Sequence, residues 1–295
     1  MKNAKVKLVV AMLVFGSIGL FVRNINLSSS MIALARGIIG SIFLLVVSLI
    51  TREKTSWKVI KHNLFPLIVS GTIMGINWIF LFEAYKYTTI SKATLSYYLA
   101  PVFVIFLSPF ILKEKLNAIK IMCIIGSMAG MYLIVGSGSG VAEKNQLLGI
   151  GYGIIAALLY AGVIITSKFI KNLSGMESAM IQLAVAAVVL LPYVLATEKI
   201  QLTEFNFKSI VLLLTVGIIH TGISYLLYFS AIQELKAQTI ATFSYIDPIS
   251  AIVMSSIFLG EKMTAIQLFG GILILGATLI NELAGKWIDK RTYNA

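Results

Sequence analysis

A chain of 295 residues with 58% hydrophobic residues, 12% charged residues and a mean hydropathy of +0.93 has too little polar surface to fold as a water-soluble globule. It belongs in a lipid bilayer. The net charge of +12 would suggest nucleic acid in a soluble protein but is explained here by where the basic residues fall, and the single cysteine, Cys123, excludes a disulfide framework and a thiolate metal site.

Apolar stretches of about 20 residues, long enough to span at 1.5 Å rise per residue, recur ten times with short polar breaks. The first runs from about Val6 to Val22 and follows Lys2, Lys5 and Lys7, a start that resembles a signal peptide. Removing it would leave nine helices and break the internal repeat described below, so it is read as helix one. Helix two, about Met31 to Ile50, places Ala33, Gly37 and Ser41 at four-residue spacing, a small-residue face for close packing. Arg36 lies on the same helix in the sixth position of its span, where a guanidinium needs a partner, a water-filled space or a route to the interface. Helix three, about Leu64 to Glu83, carries Asn77 and Trp78 deep in its span. Helix four, about Ile90 to Leu112, contains Tyr97, Tyr98, Pro101 and Pro109, and proline there is expected to bend it. Helix five, about Ile119 to Val135, has Gly126 and Gly130 at GxxxG spacing.

Residues 137–146, rich in Gly and Ser, read as a linker, and the scheme then repeats: helix six from about Leu147, seven from Glu177, eight from Ser209, nine from Ala237 and ten from Ala265. At an offset of 147 residues, Gly75 to Leu116 falls on Gly222 to Met263, with Tyr98 and Tyr245, Pro101 and Pro248, and Glu114 and Glu261 meeting as identical pairs. The expected domains are therefore 1–136 and 147–295, two copies of one five-helix unit. An odd number of spans per copy makes the second enter from the opposite side, an inverted repeat. With the N-terminus inside, sixteen Lys and Arg residues fall on cytoplasmic segments and seven on the opposite side, which puts both termini in the cytoplasm.

The copies differ most usefully at Ala100 against Asp247, the tenth residue of its expected span and so near mid-membrane. Inserting an ionised carboxylate there costs about 2.5 to 3.5 kcal/mol on translocon scales. Asp247 is expected to face a cavity, hold a proton, or pair with Arg36 or His220. The alternative is a structural carboxyl beside the bend at Pro248. His220, Ser224 and Tyr225 sit near mid-depth on helix eight, the last two opposite Asn77 and Trp78 in the repeat. Enzymatic readings fare poorly: there is no HExxH metal motif, no Walker phosphate loop and no GxSxG nucleophile turn. Any energy would have to come from an ion or substrate gradient.

Arg36 opening a Gly-rich and Leu-rich helix two, Pro101 thirteen residues before Glu114, and Asp247 with Pro248 thirteen residues before Glu261 together resemble the drug/metabolite transporter superfamily, in particular its ten-helix EamA-like branch. The resemblance implies a central cavity lined by helices one to four and six to nine, with alternating access by rocking of the halves. By that analogy Arg36, Asn77, Trp78, Tyr98, Tyr160, His220, Tyr225, Tyr245 and Asp247 are candidate substrate-binding or coupling residues. Pro101, Pro248, Glu114 and Glu261 are carried over as structural or gating residues, and neither cofactor nor metal is expected.

The resulting expectation is an all-α inner-membrane secondary transporter of small metabolites, with no nucleic-acid partner, working as monomer or homodimer and open to proton coupling. Aromatic rings and a few polar groups around one carboxylate suit an amphipathic zwitterion, which favours export of amino acids or related compounds. The same groups suit organic cations or drugs. A membrane scaffold or receptor without flux is the alternative from another class.

Overall fold

The computed structural model describes residues 2–51, 57–113, 118–136, 143–198, 206–235 and 243–293. Lipid offers no hydrogen bonds to a backbone, so a chain this apolar must satisfy its peptide groups within each span, and among the described residues it does so with helices alone. They are α1 (Lys2–Arg23), α2 (Ser29–Thr51), α3 (Trp57–His62), α4 (Leu64–Tyr87), α5 (Ile90–Tyr97), α6 (Ala100–Ile111), α7 (Ala118–Gly136), α8 (Glu143–Ser167), α9 (Gly175–Thr197), α10 (Phe207–Thr215), a π-helical segment (Val216–Ile223), α11 (Ser224–Glu234), α12 (Ile246–Leu259) and α13 (Ala265–Tyr293). Seven helical stretches are long and apolar enough to cross a membrane, and shorter apolar helices lie at Ala118–Ile134, Ile246–Leu259 and Ala265–Ala277. Large apolar side chains such as Leu49, Ile50, Phe65, Phe110, Ile257 and Phe258 stand exposed on the outside, a surface that only lipid tolerates.

Polar residues in the breaks start the helices. Ser174 and Glu177 form a reciprocal capping box, with the Glu177 amide donating to Ser174 Oγ at 3.2 Å and the Ser174 amide to Glu177 Oε2 at 2.9 Å, so α9 begins at Gly175, two residues before the expected start. Thr89 caps α5 through the Lys92 amide, and Asn206 caps α10 through the Ser209 amide.

The continuous helix expected over Ile90 to Leu112 is instead two helices. The chain leaves α5 at Tyr98, makes a tight turn in which the Leu99 amide donates to Ser96 O at 3.2 Å, and re-enters as α6 with Pro101 in its first turn. Proline suits a helix start, where its missing N–H leaves no bond unmade. The second copy behaves alike: residues 243–244 are helical, the chain turns at Tyr245, and α12 begins at Ile246 with Pro248 in its first turn. The expected start of helix nine at Ala237 lies outside the described residues, as does Glu114.

The packing partners come in matched pairs. α4 lies against α8 and α9, α1 against α11 and α12, and α2 against α9 and the π segment. α7 packs on α13 apart from the rest of the bundle's main contacts. There the backbones nearly touch: a Cβ on Gly130 would stand 2.5 Å from the Gly270 carbonyl oxygen, and one on Gly270 2.6 Å from that of Gly130. By contrast, a Cβ on Gly126 would meet Ala277 at an ordinary 3.6 Å.

Gly130→Ala is therefore expected to destabilise the protein by roughly 1 to 3 kcal/mol through overpacking, while Gly126→Ala stays near neutral. Unfolding of the two variants in detergent checks this; equal stabilities would show that the glycine contact is not holding α7 to α13.

Candidate functional site

Two opposite charges lie within the helical bundle, and the structure does not pair them. Arg36 is 6% exposed, and its Nε donates to Thr221 Oγ1 at 2.7 Å. Its guanidinium lies over Trp78 with Cζ 4.3 Å from the ring centroid, and Phe82, one turn further along α4, is 6.0 Å away. Arg36 is thus held in the interior and does not reach back to the interface. Asp247 is half-buried, and its Oδ2 accepts a hydrogen bond from the Tyr98 hydroxyl at 2.8 Å. Among the described residues neither charge has an ion-pair partner. Of the three environments expected for Asp247, pairing with Arg36 or His220 is not the one observed.

Local structure explains both placements. Thr221 lies in the π segment, where Thr221, Ser224 and His220 each turn a side chain to the carbonyl five residues back: Thr221 Oγ1 donates to Val216 O at 3.0 Å, Ser224 Oγ donates to Ile219 O at 2.8 Å, and His220 Nδ1 lies 3.3 Å from Thr215 O. These side chains compensate for the widened helical turn. Because Thr221 Oγ1 spends its proton on Val216, its lone pairs are free to accept from Arg36. Gly40, one turn along α2 from Arg36, makes the approach feasible, since a Cβ there would stand 2.6 Å from Thr221 Cγ2. On the other side of the site, the break at Tyr98 turns its hydroxyl to the start of α12, and α1 crosses closely at Gly16, where a Cβ would lie 2.5 Å from Asp247 O.

Aromatic side chains occupy the region between. Tyr97 stacks against Tyr160 at 5.2 Å and edges Tyr98 at 6.4 Å, and Tyr225 meets Phe15 edge-on at 5.7 Å and Phe229 at 6.0 Å. Tyr85, buried on α4, packs in one cluster with Trp78, Tyr97 and Tyr225. Tyr85, Tyr97 and Thr221 belong to this constellation but were absent from the residues singled out by sequence. Only their spacing from Trp78, Tyr98 and His220 could have suggested them.

The sequence-derived candidates divide in two. Tyr98, Tyr225, Tyr245 and Asp247 are half-buried and Tyr160 is 39% exposed. Arg36, Asn77, Trp78 and His220 are buried. Asn77 donates its amide to Ala156 O, clamping α4 to α8. His220 Nε2 lies 3.0 Å from Ser17 Oγ, and its ring packs on Phe21 at 4.6 Å.

Glu261 stands away from this cluster, at one end of the bundle. Its carboxylate pairs with Arg23 and accepts the backbone amides of Ile90 at 3.1 Å and Ser91 at 3.4 Å, capping the start of α5. The same end holds Ser30 with Glu198, the Asn26 amide with Ser209, and Lys92 Nζ with Gln146 Oε1 at 2.7 Å. At the opposite end Asn63 exchanges bonds with Lys171, donating to its carbonyl and accepting from its amide, both at 2.8 Å. Among the described residues no group of three or more His, Cys, Asp or Glu forms a metal site.

Glu261→Ala should speed hydrogen exchange at the Ile90 and Ser91 amides by roughly five-fold, the equivalent of a lost cap worth about 1 kcal/mol. Arg23→Ala should change it less, because the Arg23 side chain is 38% exposed and the amides keep their acceptor. Equal protection in wild type and Glu261→Ala would contradict the capping role.

With this geometry in place, three comparisons bear on it. The model of the EamA-like transporter family matches the chain twice, at residues 4–136 and 147–282. The chain is 33% identical over 274 residues to the "uncharacterized transporter YxxF" of Bacillus subtilis (strain 168), covering 92% of this chain and 87% of that protein. It is 25% identical over 267 residues to the protein RarD of Escherichia coli (strain K12), covering 88% and 86%. A solved crystal structure superposes over 98% of this chain and 99% of its own with a TM-score of 0.64 at 17% identity, a likeness of fold alone.

Proposed function

The chain belongs to the EamA-like transporter family, a multi-pass membrane transporter of small molecules, and from that membership we propose that it is a secondary transporter exporting amino acids or related amphipathic metabolites across the inner membrane. Asp247 carries the reading. A carboxylate among tyrosines, bonded to one phenol and with no cation beside it in the described residues, is placed to receive an ammonium group from a cargo molecule. The rings of Tyr98, Tyr160 and Tyr225 offer faces for the cargo's apolar parts. Membership of a transporter family supports transport as the role of this site.

The mechanism is alternating access between two inverted five-helix halves, residues 1–136 and 147–295 with 137–146 between them, both termini in the cytoplasm. Three observations support it: the family model matches each half, the packing of α4 on α8 is mirrored by that of α1 on α11, and both halves break at equivalent positions, Tyr98 and Tyr245. The Arg23, Lys92 and Glu198 ties between the halves collect at the end that the basic-residue bias makes external. This arrangement is a state closed at that end, with Glu261 as a gate tie. One chain supplies both halves, so a monomer suffices and a homodimer would add no residue to the site.

Flux of labelled amino acids in proteoliposomes, with and without an inward-acid pH gradient, tests the proposal. Wild type is expected to show gradient-stimulated flux, and Asp247→Asn to lower it at least about ten-fold, the size of one charged interaction. Unchanged flux in Asp247→Asn would make Asp247 structural. Movement of cationic dyes with no movement of amino acids would replace the cargo by organic cations, and absence of any flux would favour a scaffold or receptor.

A further inference from the structure

We propose that Arg36 is an anion subsite that takes the carboxylate of the transported molecule, so that cargo must carry a carboxylate. The inference rests on the transport reading above and adds a requirement that reading does not contain.

Arg36 lacks a counter-charge among the described residues. More than nine-tenths of its surface is buried, yet among the described residues no Asp or Glu pairs with it. A guanidinium keeps its proton inside proteins, so Arg36 cannot discharge itself by deprotonating. Burial without a counter-charge is strongly unfavourable unless something else supplies the negative end. Asp247 does not, because its bond goes to Tyr98.

The guanidinium's own geometry says where that charge fits. One face is covered by Trp78 at 4.3 Å, and Nε is occupied by Thr221 at 2.7 Å. These two contacts fix the plane of the group and leave its outer edge, the paired Nη1 and Nη2 donors, with no hydrogen-bond partner among the described residues. Two parallel N–H groups on one planar edge match the two oxygens of a carboxylate. Trp78, which covers the guanidinium, belongs to the same packed cluster as Tyr85, Tyr97 and Tyr225. Tyr97 of that cluster edges Tyr98, whose hydroxyl donates to Asp247, so a chain of ring contacts links the anion subsite to the carboxylate on another helix.

The same features select a carboxylate over a phosphate. A single guanidinium with one free edge balances one negative charge. A phosphate ester, carrying nearly two at neutral pH, would need a second cation, and the contacts of Arg36 among the described residues, with Thr221, Trp78 and Phe82, include no lysine or second arginine. The Trp78 face serves as a rigid backing that preorganises the fork without competing for its donors.

The test compares matched ligands on the wild-type protein and needs no variant to be decisive. L-leucine and L-phenylalanine are measured against their own carboxamides, which keep the ammonium and lose the anion, by ligand-induced thermal shift of the purified protein and by flux in proteoliposomes. The amino acids are expected to act at concentrations at least about ten-fold lower than the amides, the worth of a charge-assisted bidentate contact. Arg36→Gln should erase that ratio while sparing the response to the amides, and Arg36→Lys should restore only part of it, since an ammonium keeps the charge but not the fork. Should Arg36→Gln fail to fold, Thr221→Val retains the arginine and loosens its orientation, and is expected to narrow the ratio. Amides that bind and move as well as the amino acids in wild type would overturn the subsite while leaving the transport reading in place. A wild type that moves neither would overturn both.

Discussion

The structure turns on two interior charges that are kept apart. Helices buried in lipid exclude unpaired ions unless geometry compensates for them, and here Arg36 and Asp247 are each held by a neutral hydroxyl, from Thr221 and Tyr98, in place of an ion pair. A direct pair would neutralise both groups and leave nothing for a cargo to engage. The hydroxyl partners orient the charges without cancelling them. Most of the other irregular features of the bundle serve that arrangement.

Those features are local departures from ideal helix. The π segment swings Thr221 beneath Arg36, and its i−5 carbonyls are met by Thr221 and Ser224 hydroxyls, so the wide turn leaves fewer backbone groups unsatisfied. The turn at Tyr98, set by Pro101 two residues into α6, aims a phenol at Asp247, and the equivalent turn at Tyr245 starts the helix that carries Asp247 itself. Glycines at the crossings of α1 with α12 and of α2 with the π segment bring backbones close enough for these contacts. Helix irregularity thus concentrates where polar groups are presented in an apolar interior.

Hydropathy marked the seven described stretches that are long and apolar enough to cross a membrane, because a stretch with no charges has one stable fate in lipid, and the capping box at Ser174 and Glu177 moved a boundary by only two residues. Arg36 and Asp247 stood out for the same reason: each is expensive where it sits. What the sequence hid was the shape of the turns. A proline at position 101 signals an interruption, but not that it would begin a new helix rather than bend an old one. Nothing in Val216–Ile223 announces a π segment, because its close packing on α2, Gly217 against Ile39 and Gly222 against Phe43, is a tertiary relation that hydropathy does not carry. Tyr85 carries no signal in the sequence, because a buried tyrosine on an apolar helix has the pattern of core.

The claim on which the whole account depends is that the aromatic region holding these charges opens to one side of the membrane at a time. Tyr160 is its most exposed member at 39%, and the natural chain has one cysteine, buried Cys123. A Tyr160→Cys substitution in a Cys123→Ala background therefore gives a single reporter in oriented membrane vesicles. In the conformation closed at the Arg23 and Glu261 end, a membrane-impermeant maleimide is predicted to label it from the cytoplasmic face alone, with protection on adding L-leucine or L-phenylalanine. Equal labelling from both faces, or labelling by neither, would contradict a site with alternating access.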